Sequence, residues 1–129
     1  MARFMTSSKL LQLFVEPSGK TQYTKPVVLL TTSTTISAGE TFTFAMREND
    51  NVIHMGTTTA GAFSDVIAHQ LPNGWIVTVG VGDYRGSDGK SYEGIGITPK
   101  IISSNQKSEV LNGVDKTLEA AREILHKTH

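Results

Sequence analysis

Residues 26–40, Pro-Val-Val-Leu-Leu-Thr-Thr-Ser-Thr-Thr-Ile-Ser-Ala-Gly-Glu, decide the fold of this chain. Their apolar start, Pro26 to Leu30, is typical of a strand buried on both faces of a parallel or mixed sheet. After small and hydroxyl residues, a helix is indicated by apolar side chains at helical spacing, namely Ala38, Phe42, Ala45 and Met46. The stretch therefore predicts a buried strand that runs through a short turn into a helix, a unit found in α/β proteins.

Further strands and a second helix are predicted on both sides of this unit. Leu10 to Val15 and Val52 to Met55 have the composition of short strands, and Val66–Leu71 with Trp75–Val81 form a hairpin around the Asn73-Gly74 turn. A helical pattern near the end comprises Val114, Leu118, Ala121 and Leu125, with Asn112 or Asp115 as N-cap. Because strands and helices mix along 129 residues, one domain of the α/β or α+β class over residues 1–129 is expected.

Composition narrows the classes of partner and cofactor. The chain has 12 basic and 12 acidic residues and a formal net charge of zero, so nothing in its charge favours nucleic acid or an anionic membrane as partner. It contains no cysteine, which excludes disulfides, thiolate metal sites and a cysteine nucleophile. No apolar run approaches the roughly 20 residues of a membrane-spanning helix.

Ser37 stands where the predicted strand enters the predicted helix. A hydroxyl at a helix N-terminus lies beside free backbone N–H groups, which favour the negative charge that develops in acyl transfer. Ser37 and Glu40 also form the Ser-x-x-Glu pattern of a capping box, which needs no chemistry. On the residues alone, the capping box is the favoured interpretation, and the nucleophile is the alternative.

Glu93 and the histidines give weaker patterns. Glu93 lies among glycines ahead of a short apolar stretch, where a carboxylate either orients a histidine or is solvated in a loop; the residues alone favour the loop. His54 and His69 are predicted to be structural. His126 and His129 are one helical turn apart, but no carboxylate or cysteine completes a ligand set, so no metal site or cofactor is predicted. Trp75 is predicted to lie in the hairpin's core.

Six segments, in order and spacing, resemble the carboxyl-terminal processing (tail-specific) serine peptidases over about residues 22–125. They are an apolar strand, Ser-Ala-x-Glu, a Gly-x-x-Thr-x-Gly loop, a Leu-x-x-Gly hairpin, Glu-Gly-x-Gly-Ile-x-Pro, and a helix entered through Asp-x-x-Leu. In this chain they are Pro26–Leu30, Ser37–Glu40, Gly56–Gly61, Leu71–Gly74, Glu93–Pro99 and Asp115–Leu118.

The resemblance implies a crotonase-like (ClpP-like) α/β fold with a mixed sheet and flanking helices. It makes Ser37 the nucleophile, and Ala38 the donor of one oxyanion hydrogen bond. Members with a Ser-Lys dyad carry lysine where this chain has Ala62, so the branch near the tricorn protease, with serine, histidine and glutamate, is implied. Glu93 is then the acidic member, and the substrate cleft is lined by Thr59, Ala60, Gly61 and Ala62.

The resemblance also implies that other parts of the site lie upstream. The family's Asp-x-Arg-x-Asn-x-Gly-Gly motif and the branch's general-base histidine come tens of residues before the serine, and the 36 residues ahead of Ser37 do not match them. The chain is therefore expected to be the C-terminal portion of a peptidase catalytic domain, inactive alone. A polypeptide substrate, export to the periplasm or cell envelope, and homo-oligomers through an exposed sheet edge are expected.

A second function class remains open on the same fold. The family's relatives include retinoid-binding modules, which imply a non-catalytic module that binds a ligand or a peptide. In such a module Ser37 would only cap the helix. An upstream histidine would distinguish the peptidase from the binding module.

Overall fold

The computed structural model of the chain describes Glu16 and residues 18–127. The elements, in order, are β1 (Val27–Thr31), α1 (Ala38–Arg47), β2 (Val52–Gly56), β3 (Val66–Gln70), β4 (Ile76–Gly80), β5 (Ile101–Ile102), α2 (Lys107–Leu111) and α3 (Lys116–Lys127). The strand predicted at Leu10–Val15 lies outside the described residues. β5 and α2 were not predicted.

The strands form two separate sheets. β1, β2 and β5 form a parallel sheet in the order β1-β2-β5, in which Val27 pairs with Val52 and Met55 with Ile101. α1 makes the crossover that two parallel neighbours require. Within residues 18–127, β3 and β4 pair only with each other, antiparallel, as the Asn-Gly turn predicts. The α/β class with parallel and antiparallel strands is confirmed.

The buried apolar core is small among the described residues. It comprises Met55 on β2 together with Phe63, Ile97 and Ala121. β1 is half-buried instead of buried on both faces, and Leu30 is 37% exposed. The prediction of a fully buried strand is wrong here, because burial on both faces requires other elements to cover both faces of the sheet, and four of the five residues of β1 stay partly or fully exposed among the described residues.

The buried face of α1 differs from the predicted one. Phe42, expected on the apolar face, is 55% exposed, whereas Glu40 and Thr43 are the buried residues of the helix. Two polar side chains can occupy this face because their hydrogen bonds are made within the protein. The Thr43 hydroxyl donates to the Gly39 carbonyl at 2.7 Å, and Glu40 bonds a neighbouring loop, as described below.

The β3–β4 ribbon is exposed over its whole length. Every residue of both strands is exposed, and Trp75 is 72% exposed. The prediction that Trp75 lies in the hairpin's core is therefore wrong. An isolated two-stranded ribbon has too little packing to bury a large side chain.

Asp115 caps α3, as the sequence predicts. Its Oδ1 accepts a hydrogen bond from the Leu118 backbone N–H at 2.9 Å. Asn112, the alternative cap, follows the end of α2 instead. The described residues include no helix that is both long and apolar enough to cross a membrane.

Candidate active site

Ser37 has a strained backbone at the entrance of α1. Its φ is +50° and its ψ is −118°, and it is the only residue other than glycine with positive φ in the described part of the chain. A side chain with a Cβ atom rarely adopts this region, because the conformation costs free energy. The side chain is exposed and makes no capping hydrogen bond. The capping-box interpretation of Ser37 and Glu40 is therefore wrong.

Glu40 instead bonds the loop that follows β2. It is fully buried, and its Oε1 accepts hydrogen bonds from the Thr59 hydroxyl at 2.5 Å and the Gly61 N–H at 2.7 Å. Its Oε2 accepts from the Ala62 N–H at 2.7 Å. A buried carboxylate is costly unless strong hydrogen bonds replace its hydration. Three such bonds make this burial possible and fix the loop to the first turn of α1.

The loop Thr59–Ala62 is flanked by backbone segments on both sides. On one side Ala60 N–H donates to the Thr35 carbonyl at 3.0 Å, and Ser37 N–H donates to the Ala62 carbonyl at 2.9 Å. On the other side Gly94 N–H donates to the Gly61 carbonyl at 2.7 Å. The loop is thus held in register between the serine turn and the segment after Glu93.

Glu93 bonds the next two residues of the same segment. Its Oε2 accepts from Phe63 N–H at 2.9 Å and from Ser64 N–H at 3.0 Å. Because Ser37 bonds Ala62 and Glu93 bonds Phe63, the predicted nucleophile and the predicted acid are attached to consecutive residues. Glu93 is thus not only a solvated loop residue, and its Oε1 takes no part in these two bonds.

Aromatic side chains pack around Phe63 and the residue before Glu93. The ring of Phe63, 2% exposed, stacks on Phe44 of α1 with centroids 5.1 Å apart, and Phe44 meets Tyr92 edge-on at 5.2 Å. The Arg47 guanidinium lies 5.8 Å from the centre of the Tyr92 ring. These contacts tie α1 to both Phe63 and the residue before Glu93.

The other predicted site residues divide by exposure. Ala38 is the first residue of α1, so its N–H is among those without an acceptor inside the helix. Ala60 and Ala62 are exposed, whereas Thr59 and Gly61 are buried. The side chain of Thr59 faces Glu40 and is not available to line a cleft. The loop therefore presents only its two alanines outward.

His54 is a structural residue of β2, as predicted. The Thr31 hydroxyl donates its one proton to the Thr57 carbonyl at 2.8 Å, so it accepts from His54 Nε2–H at 2.9 Å. Burial, and secondarily the charge of Arg47, lowers the pKa of His54. His69 is exposed on β3, and His129 lies outside the described residues. Within the described part of the chain, no histidine bonds Ser37 or Glu93.

Sequence reasoning missed the role of Glu40 and of the Thr59 side chain. A glutamate in the first turn of a helix after a serine has the pattern of a capping box. The donors that decide otherwise, such as the Gly61 N–H, lie 21 residues further along the chain. The Gly-x-x-Thr-x-Gly motif did point to Thr59, but only as a cleft residue.

Comparison with solved structures gives matches to peptidases. A Parabacteroides merdae protein superposes with a TM-score of 0.75 and 30% identity, over 84% of this chain and 34% of that one. Mature CPAF complexed with lactacystin gives a TM-score of 0.65 and 25% identity, over 86% and 21%. The photosystem II D1 C-terminal processing protease gives a TM-score of 0.51 and 26% identity, over 61% of this chain and 20% of that protein.

These matches cover only part of each relative. The chain spans about a third of the Parabacteroides protein and 10% of the curated sequence relatives that it matches. The sequence profile of peptidase family S41 matches residues 4–103, which include the Ser37 turn, the loop after β2 and Glu93. The predicted resemblance is confirmed: the chain belongs to peptidase family S41.

Proposed function

We propose that the full-length protein is a serine endopeptidase with Ser37 as its nucleophile. The observation that carries this proposal is the backbone of Ser37, strained at φ +50° and exposed at the entrance of a helix. A helix cap has no need of strain, since a cap residue normally adopts an extended conformation. Strain of this kind is concentrated at active sites, where the surroundings hold a side chain in a working position.

The proposed chemistry is acyl transfer. Ser37 Oγ attacks the carbonyl carbon of a peptide bond, and a histidine takes the hydroxyl proton and then delivers it to the leaving amine. The carbonyl oxygen becomes an oxyanion, which accepts a hydrogen bond from the Ala38 N–H. Water then hydrolyses the acyl-enzyme in the same way. The substrate backbone lies along Ala60–Ala62, where the exposed Ala60 and Ala62 leave room for it.

Glu93 is proposed to hold that histidine. Its Oε2 is occupied by two backbone N–H groups, so Oε1 is the oxygen that accepts from the imidazole N–H. A carboxylate in this role fixes the tautomer and stabilises the imidazolium formed during the attack. Ala62 at the position of the family's dyad lysine supports a histidine base over a lysine base.

The histidine is proposed to come from a segment upstream of this chain, as does the second oxyanion donor. The limited share of each relative that the chain covers supports this arrangement. The chain by itself is then expected to cleave nothing. β1 has a partner strand on one side only among the described residues, which supports self-association through this edge. Export to the periplasm or cell envelope is part of the proposal and rests on the family resemblance.

Covalent labelling of the full-length protein tests the nucleophile. A fluorophosphonate probe should modify Ser37, and Ser37→Ala should abolish both labelling and cleavage of an unstructured polypeptide. Loss of the hydroxyl is expected to lower kcat by about 10⁶-fold. The melting temperature should not fall, because the side chain caps nothing.

Two outcomes would contradict the proposal. Near-normal turnover by Ser37→Ala would remove Ser37 from the nucleophile position. A wild-type protein that neither reacts with the probe nor cleaves polypeptide would favour the non-catalytic binding module. Labelling of Ser37 in the 129-residue chain alone would show that the base lies within these residues.

A further inference from the structure

Four successive backbone N–H groups in the loop after β2 are bonded by two carboxylates. Glu40 accepts from Gly61 and Ala62, at 2.7 Å each. Glu93 accepts from Phe63 and Ser64, at 2.9 and 3.0 Å. Glu40 therefore bonds the first half of residues 61–64, and Glu93 bonds the second half. We call residues 61–64 the amide segment.

The amide segment also fixes the backbone of Ser37. The Ala62 carbonyl accepts from the Ser37 N–H at 2.9 Å, while the N–H of the same residue is bonded to Glu40. The orientation of Ala62 thus decides where this carbonyl points. A residue in a strained conformation persists only when its neighbours over-determine it. For Ser37, the bonded neighbour outside its own turn is Ala62.

Glu40 is also connected to the segment after Glu93 through the hydrogen bonds of the Thr59 side chain. The Thr59 hydroxyl donates to Glu40 and accepts from the Ile97 N–H at 2.7 Å. Thr59 and Ile97 are both buried, at 5% and 0% exposure, so water does not compete for these bonds. The first turn of α1, the loop and the segment after Glu93 are joined through one carboxylate.

We propose that Glu40 is the positioning residue that sets Ser37 and Glu93 relative to each other. Its carboxylate bonds neither of these side chains and no reacting atom, and acts through the amide segment and Thr59. Only its backbone N–H, which donates to the Ser37 carbonyl at 2.8 Å in the first turn of α1, contacts Ser37 directly. This inference rests on the proposed function, since it assigns a role in that reaction. The coupling itself does not depend on catalysis. If the Glu40 bonds are weakened, the hydrogen bonds of the Phe63 and Ser64 amides should also weaken, although Glu40 does not contact them.

The decisive variant is Glu40→Gln in the full-length protein. The amide has one acceptor oxygen and turns N–H donors towards backbone N–H groups, so at least one of the three bonds is lost. We expect kcat to fall by about 10²-fold, the cost of misplacing reacting groups by about 1 Å. KM should change little, and probe labelling of Ser37 should slow in step with kcat. The matched control is Glu48→Gln, an exposed carboxylate just beyond the same helix, which bonds the Ser87 hydroxyl.

Thr59 provides a second set of variants, in case Glu40→Gln does not fold. Thr59→Val removes the hydroxyl from both of its bonds with little change in volume, whereas Thr59→Ser keeps it. We expect Thr59→Val to lower kcat and Thr59→Ser to restore it. If Thr59 had only a structural role, Thr59→Val would lower the melting temperature, but kcat per folded molecule would be the same in Thr59→Val and Thr59→Ser.

Amide hydrogen exchange separates this proposal from the proposed function. In Glu40→Gln the Phe63 and Ser64 amides should exchange faster, and in Glu48→Gln they should not. If the wild-type protein has no peptidase activity, the proposed function fails and the exchange result still decides the coupling. Unchanged kcat per folded molecule, or protection unchanged at Phe63 and Ser64, would overturn the role of Glu40.

Discussion

The site region and the β3–β4 ribbon are held together in opposite ways. Around Ser37, buried polar groups carry much of the structure: Glu40 and Thr59 are 0% and 5% exposed, and each makes several hydrogen bonds. In the ribbon, the paired backbone groups carry apolar side chains that the rest of the described chain leaves uncovered, and Ile76 is 69% exposed. The two regions join at residues 64–65 and 81–82, where Gly82 N–H donates to the Ser64 hydroxyl at 2.9 Å.

The difference shows which part of the chain specifies its own geometry. Buried polar bonds have few alternative partners, so they define a single arrangement. The ribbon's backbone pairing fixes its register, but its side chains gain little from folding because they stay in water. A large exposed apolar surface normally marks contact with other protein. We therefore expect changes in the site region to cost more than matched changes in the ribbon.

The largest contrast is expected in catalysis, from Glu93→Gln in the full-length protein. A neutral amide cannot stabilise an imidazolium as a carboxylate does, and loss of such a partner lowers kcat by about 10⁴-fold. KM should change little, and assays across pH would compare both proteins. Glu119→Gln, an exposed carboxylate on α3, is the charge-matched control. Equal rates for Glu93→Gln and wild type would return Glu93 to a purely structural loop role.

Stability should separate the two regions next, through two aromatic residues. Phe63→Ala removes a ring that is 2% exposed and stacked on Phe44, and should cost about 3–5 kcal/mol of unfolding free energy. Trp75→Ala removes a ring that is 72% exposed, and should change stability by about 0.5 kcal/mol or less.

Urea unfolding of the 129-residue chain and its two variants would measure both aromatic values. A large cost for Trp75→Ala would mean that the ribbon is covered in solution, for example by a second copy. In that case the loss should grow with protein concentration, since association contributes to apparent stability.

The two regions were predictable from sequence to different degrees. The ribbon follows from local signals: β-forming residues on both sides of an Asn-Gly turn predict its two strands and their antiparallel pairing. β1, α1 and β2 likewise follow from apolar runs and helical spacing. β5 has two residues and α2 has five, too few for either signal.

The site depends on partners that are distant in sequence. Glu40 bonds donors 19 to 22 residues away, and Glu93 bonds donors 29 and 30 residues away. Spacing within one helix could not choose between a capping box and these bonds. Family resemblance, not periodicity, pointed to Ser37 and Glu93. The buried face of α1 was predicted wrongly because local patterning counts apolar residues and not satisfied polar ones.

A smaller contrast is expected from two glycines with nearly equal backbones. Gly96 in the site and Gly74 in the hairpin turn have φ of +80° and +85°. An alanine Cβ at Gly96 would clash with the Thr59 carbonyl oxygen, whereas at Gly74 it would meet nothing within 4 Å. Gly74→Ala should cost about 1–2 kcal/mol for the left-handed backbone, and Gly96→Ala should add about 1–3 kcal/mol of overpacking. Equal losses in urea unfolding would contradict a tightly packed loop.

The smallest contrast concerns pH and the histidines of the two regions. His54 in β2 is buried, and burial lowers its pKa below the ordinary value of about 6.5. His69 is exposed on β3. His54 thus has a pKa of about 6.5 in the unfolded chain and a lower pKa in the folded one. At a pH between the two values, the unfolded chain binds more protons than the folded one. Stability should therefore fall as the pH drops through about 6.5 and level off below the folded pKa.

Replacing His54 should remove this part of the pH dependence. Comparing melting temperatures from pH 7.5 down to pH 5, we expect His54→Gln to lose less stability than wild type, because it has no imidazole that must be charged on unfolding. It should start lower at pH 7.5, since the bond from Nε2–H to the Thr31 hydroxyl is altered. His69→Gln, on the exposed ribbon, is the matched control for the loss of one histidine. Parallel curves for wild type and His54→Gln would mean that His54 titrates alike in both states, and that β2 is open to water. That result would weaken the contrast between a closed site region and an open ribbon.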